Sequence, residues 1–86
     1  KGIAAKHLAH VHEIWSVLED ESYDDPERLK ESVWEYASAE GRGTVLWPLR
    51  YALSGREKSP DPFMIASILG KDNSLLRIEA ARALLA

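Results

Sequence analysis

Cysteine is absent from the 86 residues. Its absence excludes a disulfide framework, a cysteine nucleophile and a thiolate zinc site, and it fits a reducing compartment. No apolar run approaches the roughly 18 residues that a membrane-spanning helix needs, and no stretch resembles a signal peptide. A phosphate-cradling loop is missing too: Gly41-Arg42-Gly43 has neither the later glycine nor the lysine of that motif. Ser54-Gly55 lacks a nucleophile elbow, and Ser59 has no histidine near it in sequence. The acidic cluster from Glu19 to Glu27 does not have calcium-loop spacing and reads as a solvated loop. An independent enzyme is therefore not expected. What is present is an ordinary globular balance, 45% hydrophobic and 29% charged, in a chain long enough for one domain. It opens Lys1-Gly2-Ile3 without Met and stops inside an Ala/Leu pattern at Ala86, which reads as a segment of a longer protein.

The net charge of −3 conceals an asymmetry. Residues 1–40 carry four Lys/Arg against ten Asp/Glu, a balance of −6; residues 41–86 carry seven against four, a balance of +3. A chain of pI about 5.6 is not a nucleic-acid binder in bulk. Its second half can still attract a polyanion locally, and the competing reading is a solvated surface with uneven charge.

Periodicity points to an all-α fold, a compact bundle of about five helices near 3–20, 26–40, 44–54, 61–69 and 73–85. Ile3, His7, Val11, Ile14 and Leu18 recur at spacings of three and four, with Ala4, Leu8 and Trp15 widening the stripe. Asp25-Pro26 and Asp61-Pro62 are helix starts, because an aspartate oxygen accepts an orphan N–H and proline needs none at the first position. Gly41-Arg42-Gly43 reads as a turn, and Gly55 and Gly70 as helix stops. Pro48 implies an irregular first turn around Val45–Trp47, or a helix that begins at Pro48 itself. Asp72 to Ser74 can cap the last helix. The expected core comprises Val11, Ile14, Leu18, Leu29, Val33, Tyr36, Leu49, Leu53, Phe63, Ile65 or Ala66, Leu69 and Ile78. Trp34 lies off the Leu29–Val33–Tyr36 face and suits packing on another helix or an interface.

Two constellations could carry chemistry. His7, His10 and Glu13 form a row one turn apart, as metal ligands on a helix would. Against that, His7 sits in the middle of the apolar stripe, where a histidine bonded to a neighbour is the simpler reading. The second is cationic: Arg50 precedes a loop holding Arg56, Lys58 and Ser59, followed by the free amides of the helix starting at Asp61-Pro62. Such groups at one end of a bundle can bind unstacked bases and phosphates. Equally, Arg50 could pair with carboxylates of the acidic half.

The run Gly43–Gly55, ending Trp47-Pro48-Leu49-Arg50-Tyr51-Ala52-Leu53-Ser54-Gly55, is followed by Ser59-Pro60-Asp61-Pro62-Phe63 and by Ile68-Leu69-Gly70-Lys71. In order and spacing these resemble the C-terminal end of bacterial glutamyl-tRNA synthetases. The match in motif covers residues 41–86; residues 1–40 agree in helical character and length. The resemblance implies that residues 1–86 are a helical anticodon-binding domain, the distal of two that follow a catalytic Rossmann domain. The partners it implies are the anticodon loop of a tRNA and the preceding anticodon-binding and catalytic domains of the same chain, in a cytoplasmic monomer with no membrane role. The parent enzyme would join glutamate to tRNA with ATP and Mg2+; this segment holds no cofactor, no metal and no catalytic residue. By the resemblance, Arg50 reads a base of the anticodon, and Ser59, Pro60 and Pro62 line the pocket for its first base. Pro62 stands where the family usually has an aliphatic residue, and Asp61 where a small one is common. Charge alone adds Arg56, Lys58 and Lys71 as backbone contacts. On this reading the acidic half faces away from RNA. The alternative is a helical protein-interaction module with no RNA role, docking a partner through an apolar face around His7, Trp15 and Trp34.

Overall fold

The computed structural model describes residues 2–55 and 61–85. Five helices run in order: α1 (Gly2–Ser16), α2 (Pro26–Glu40), α3 (Arg42–Ser54), α4 (Pro62–Leu69) and α5 (Lys71–Leu85), with a 3₁₀ helix over Asp20–Asp24 between the first two. The described residues include no strand, so the all-α expectation stands. α1 lies along α5, and α3 packs against all four other helices. The residues of α3 that turn inward, Val45, Leu49 and Leu53, are fully buried at spacings of four.

The aspartate–proline starts behave as their chemistry dictates. Asp25 accepts a hydrogen bond from the Glu27 amide at 3.0 Å, and Asp61 accepts from the Phe63 amide at 2.8 Å. Gly55 closes α3 in the left-handed region at φ +76°, its amide reaching the Tyr51 carbonyl.

Other boundaries differ from the periodicity. α1 stops at Ser16 rather than near residue 20. Continued helix would bond the Glu19 amide to the Trp15 carbonyl. That carbonyl instead accepts from the Leu18 amide and from the buried Tyr23 hydroxyl, and the chain turns away. Gly41 alone joins α2 to α3: at φ +105° it reverses the chain, and its carbonyl accepts the Val45 amide, so helix begins at Arg42 and not at residue 44. Pro48 lies inside α3, which is helical throughout; the proline costs the amide that would reach the Thr44 carbonyl and contributes a buried ring. α5 begins at Lys71, so Asp72, Asn73 and Ser74 are within the helix and do not cap it. The Ser74 hydroxyl is buried and donates to the Ala66 carbonyl of α4.

Of the expected core, Val11, Leu29, Val33, Leu49, Leu53, Phe63, Ala66 and Ile78 are buried. Ile14, Leu18, Tyr36, Ile65 and Leu69 are half-buried around it. The periodicity underrates Leu8, Trp15, Tyr23 and Val45, all of them core. Trp15 is fully enclosed, edge-on to Tyr23 and Phe63, with its indole N–H donating to the Ser32 hydroxyl at 3.0 Å. The histidine row belongs to packing. His7 is buried with Nδ1 2.6 Å from the Tyr36 hydroxyl, and the His10 ring stacks on Tyr36 at a centroid distance of 3.9 Å. Both rings converge on one tyrosine and not on a common metal point.

Candidate nucleic-acid interface

The fold fixes Arg50 by its neighbours in sequence. Leu49 and Leu53 are locked into the core, so Arg50, a hundred degrees on around the helix from Leu49, emerges at the margin of the bundle. It is half-buried there and lines a cleft of about 330 Å³ with Lys30 and Trp34 of α2, Leu46 of α3, and Asp61, Pro62 and Phe63 at the start of α4. The cleft exists because both α2 and α4 pack on α3. The Asp61–Pro62 start thus brings the first residues of α4 to the arginine.

Polar groups in the cleft are only partly used. The Arg50 Nε–H is buried and has no hydrogen-bond partner among the described residues. A buried donor without an acceptor costs about 1–3 kcal/mol, and a ligand that supplies the acceptor recovers it. Arg50 forms no ion pair among the described residues, where the ion pair is Arg82 with Glu79 on α5. Pairing with the acidic half is therefore not its role in this fold. Asp61 spends one oxygen on its own helix start and leaves a second as an acceptor.

The cleft wall is also aromatic and cationic. Lys30 Nζ lies 4.8 Å from the centre of the Trp34 ring, and the Arg42 guanidinium carbon 5.3 Å from it. Lys30 and Trp34 are one turn apart on α2, and Arg42 enters from the first position of α3 because Gly41 makes the connection so short. Neither cation has a carboxylate partner among the described residues. On the outer face of α3, Trp47 and Tyr51 stack on each other at 5.9 Å, both exposed.

Of the residues singled out from sequence, the structure brings together Arg50 and Pro62, with Asp61 beside them. Arg56, Lys58, Ser59 and Pro60 lie outside the described residues. Lys71 is elsewhere: it lines a separate cleft with Asp20, Asp24 and Asp72, an acidic setting that suits a phosphate poorly. Lys30, Trp34 and Arg42 were not expected at the site. The signal that could have found them is the Lys30–Trp34 spacing of four, with the tryptophan off the apolar face of its helix. The cleft thus takes Lys30 and Trp34 from residues 1–40 and is not built from the basic half alone. The interaction-module alternative fares worse. Two of the three residues on its docking face, His7 and Trp15, are buried inside the domain.

No solved structure matches the chain. Among curated proteins it is 42% identical over 67 residues to glutamate–tRNA ligase 1 of Bartonella bacilliformis, covering 76% of this chain and 14% of that ligase. It is 42% identical over 65 residues to the glutamate–tRNA ligase of Clostridium acetobutylicum, covering 72% of this chain and 13% of the ligase. Over a shorter stretch of 38 residues it is 60% identical to the corresponding ligase of Clostridium kluyveri, covering 43% of this chain and 8% of the ligase. The chain thus spans about a seventh or less of the relatives it matches. The family model described as an anticodon binding domain matches residues 1–82, nearly the whole chain, and with the helical bundle and its arginine-lined cleft it establishes that this chain belongs to the anticodon-binding domain family.

Proposed function

We propose that this domain recognises the anticodon loop of a glutamate tRNA as the distal domain of a glutamate–tRNA ligase. In that role it positions the tRNA while an upstream domain carries out ATP- and Mg2+-dependent aminoacylation. The names of the relatives support the ligase, and the cleft around Arg50 supports the recognition. Among the described residues no group of three or more His, Cys, Asp or Glu could hold a metal ion, and no helix is long and apolar enough to cross a membrane. The proposed setting is a cytoplasmic monomer in which ATP and magnesium belong to the catalytic domain.

The observation that carries the reading is the half-buried Arg50 guanidinium, its Nε–H without a partner among the described residues, set beside Pro62 and the acceptor of Asp61. An anticodon loop presents splayed bases, which proteins read by their edges and by stacking. A guanidinium can give two parallel hydrogen bonds to a base edge, worth about 1–3 kcal/mol of discrimination. Ser59 and Pro60 would complete the pocket from the segment preceding Asp61, with Arg56 and Lys58 as backbone contacts.

The test is Arg50→Lys in the full ligase. An ammonium keeps the charge but cannot reproduce the planar fork. Aminoacylation should fall, and fall further for the cognate anticodon than for a tRNA altered at the base that Arg50 reads. Equal losses on both tRNAs would reduce Arg50 to a phosphate contact.

A further inference from the structure

We infer that Trp34, with Lys30 and the neighbouring Arg42, forms a second nucleotide seat bordering the cleft of Arg50: an incoming phosphate draws the two cations off the indole, and its unstacked base takes their place against the ring. The inference rests on the reading of this cleft as an anticodon-loop site.

Three observations lead to it. First, Trp34 is half-buried and lines the same cleft as Arg50, so part of the indole is available from within that space. An aromatic face stacks on any base, because every base has a π-face. Second, both cations lie at the ring, with no carboxylate partner among the described residues. A carboxylate would cancel their charge. A neutral indole holds the two charged groups beside it without cancelling their charge, which leaves them to meet an incoming phosphate. Third, the cations come from different helices, Lys30 from α2 and Arg42 from the start of α3, and the one-residue connection at Gly41 fixes their spacing. A tryptophan that served packing alone would be enclosed like Trp15, which is fully buried with its indole N–H bonded.

The cleft then has a division of labour. Arg50 and Asp61 offer a donor fork and an acceptor, which suit a base edge; Lys30 and Arg42 are donors only and suit a phosphate. Two adjacent nucleotides fit this arrangement: one is read at its edge by Arg50, and its neighbour is stacked at Trp34. Trp34 thus supplies affinity and register, and Arg50 supplies identity.

The experiment uses the 86-residue chain at low salt and a 17-nucleotide anticodon stem-loop of a glutamate tRNA. Three further RNAs each carry one abasic anticodon position. Trp34→Ala should weaken binding to the intact loop about tenfold, within the range of base–aromatic stacking, while Trp34→Phe keeps it within about threefold. The penalty of Trp34→Ala should vanish on one of the three abasic RNAs. Lys30→Gln and Arg42→Gln should each lower the slope of log affinity against log salt by about one. Unchanged binding by Trp34→Ala, or an equal loss on all three abasic RNAs, overturns the seat. A separate comparison guards the underlying reading: if the unaltered chain binds a hairpin of unrelated loop sequence as well as the anticodon stem-loop, that reading fails as well. Loss of binding in Arg50→Lys with none in Trp34→Ala would leave the reading standing and remove the seat alone.

Discussion

Trp15 shows how much one residue can organise. Its ring meets Tyr23 and Phe63 edge-on, its N–H is bonded to Ser32, and its carbonyl takes the Tyr23 hydroxyl. Phe63 is only 3% exposed and also walls the Arg50 cleft. Phe63→Ala should therefore cost about 3–5 kcal/mol in denaturant unfolding, from lost transfer energy and the cavity left beside Trp15. It should also weaken RNA binding in the fraction that remains folded. Tyr23 makes a prediction of different sign with pH. Burial, with the Asp20 charge adding to it, pushes its hydroxyl up to about 12 from the ordinary 10. In the unfolded chain the tyrosine ionises near its ordinary value, so the folded state binds the extra proton between these limits. Stability is full below pH 10 and falls as pH rises toward 12, by at most about 1.4 kcal/mol per pH unit for this group. Burial and the nearby Glu40 raise Tyr36 too, so it adds in the same direction. Tyr23→Phe should flatten the alkaline fall in a series of melts from pH 9 to 12, at a cost of about 1 kcal/mol at neutral pH for the lost hydrogen bond. A fall as steep as in the unaltered chain would show that other groups govern it.

At the scale of elements, Gly41 bears the tightest constraint. Its φ of +105° and ψ of 112° join a 15-residue helix to a 13-residue helix through one residue. A Cβ there would stand 3.3 Å from the Thr44 hydroxyl, in a backbone region that L side chains rarely adopt. Gly41→Ala should cost about 1–3 kcal/mol and displace Arg42 relative to Trp34. Gly43→Ala is the control: its Cβ would meet nothing within 4 Å, and it lies inside helix, where alanine is the better residue. Thermal melts of the two variants should move in opposite directions. The same region shows which boundaries were legible in the sequence. Asp25-Pro26, Asp61-Pro62 and Gly55 are local signals, and they act locally as read. The end of α1 was not legible, because a hydroxyl eight residues away, on Tyr23, donates to the Trp15 carbonyl in its last turn. Nor was the start of α5, which follows from the Gly70 carbonyl accepting the Ser74 amide. Arg50 could be placed at the margin from the burial of its neighbours, but Trp34 and Lys30 reached it only through packing of α2 on α3, which no local spacing encodes.

On the scale of the whole molecule, the charge halves of the sequence are not the faces of the fold. The cleft draws one cation, Lys30, from the acidic half and one, Arg50, from the basic half, with Arg42 of the basic half beside it over the Trp34 ring. A net charge of −3 opposes RNA at long range, so under the proposed function affinity comes from this small local cluster. Lys30 and Arg42, with Arg56 and Lys58 as the backbone contacts proposed above, neutralise few phosphates. Each contact contributes roughly 0.7 to 0.9 to the slope of log affinity against log salt. A slope of about −2 to −3 is therefore expected for the isolated chain on an anticodon stem-loop. Between 50 and 200 mM salt, affinity should fall roughly twentyfold to sixtyfold on that slope. Absolute affinity should be weak, because in the proposed ligase the preceding anticodon-binding domain shares the loop. Titrating the stem-loop into the chain at several salt concentrations measures both quantities. Tight binding with a flat salt dependence would mean that the contacts are not ionic and that the Lys30 and Arg42 pair is not where the phosphates sit. A slope much steeper than −3 would place further cations on the RNA. Arg77 is one candidate, although its guanidinium already donates to the Leu53 carbonyl at 2.9 Å, a bond that holds it against α3.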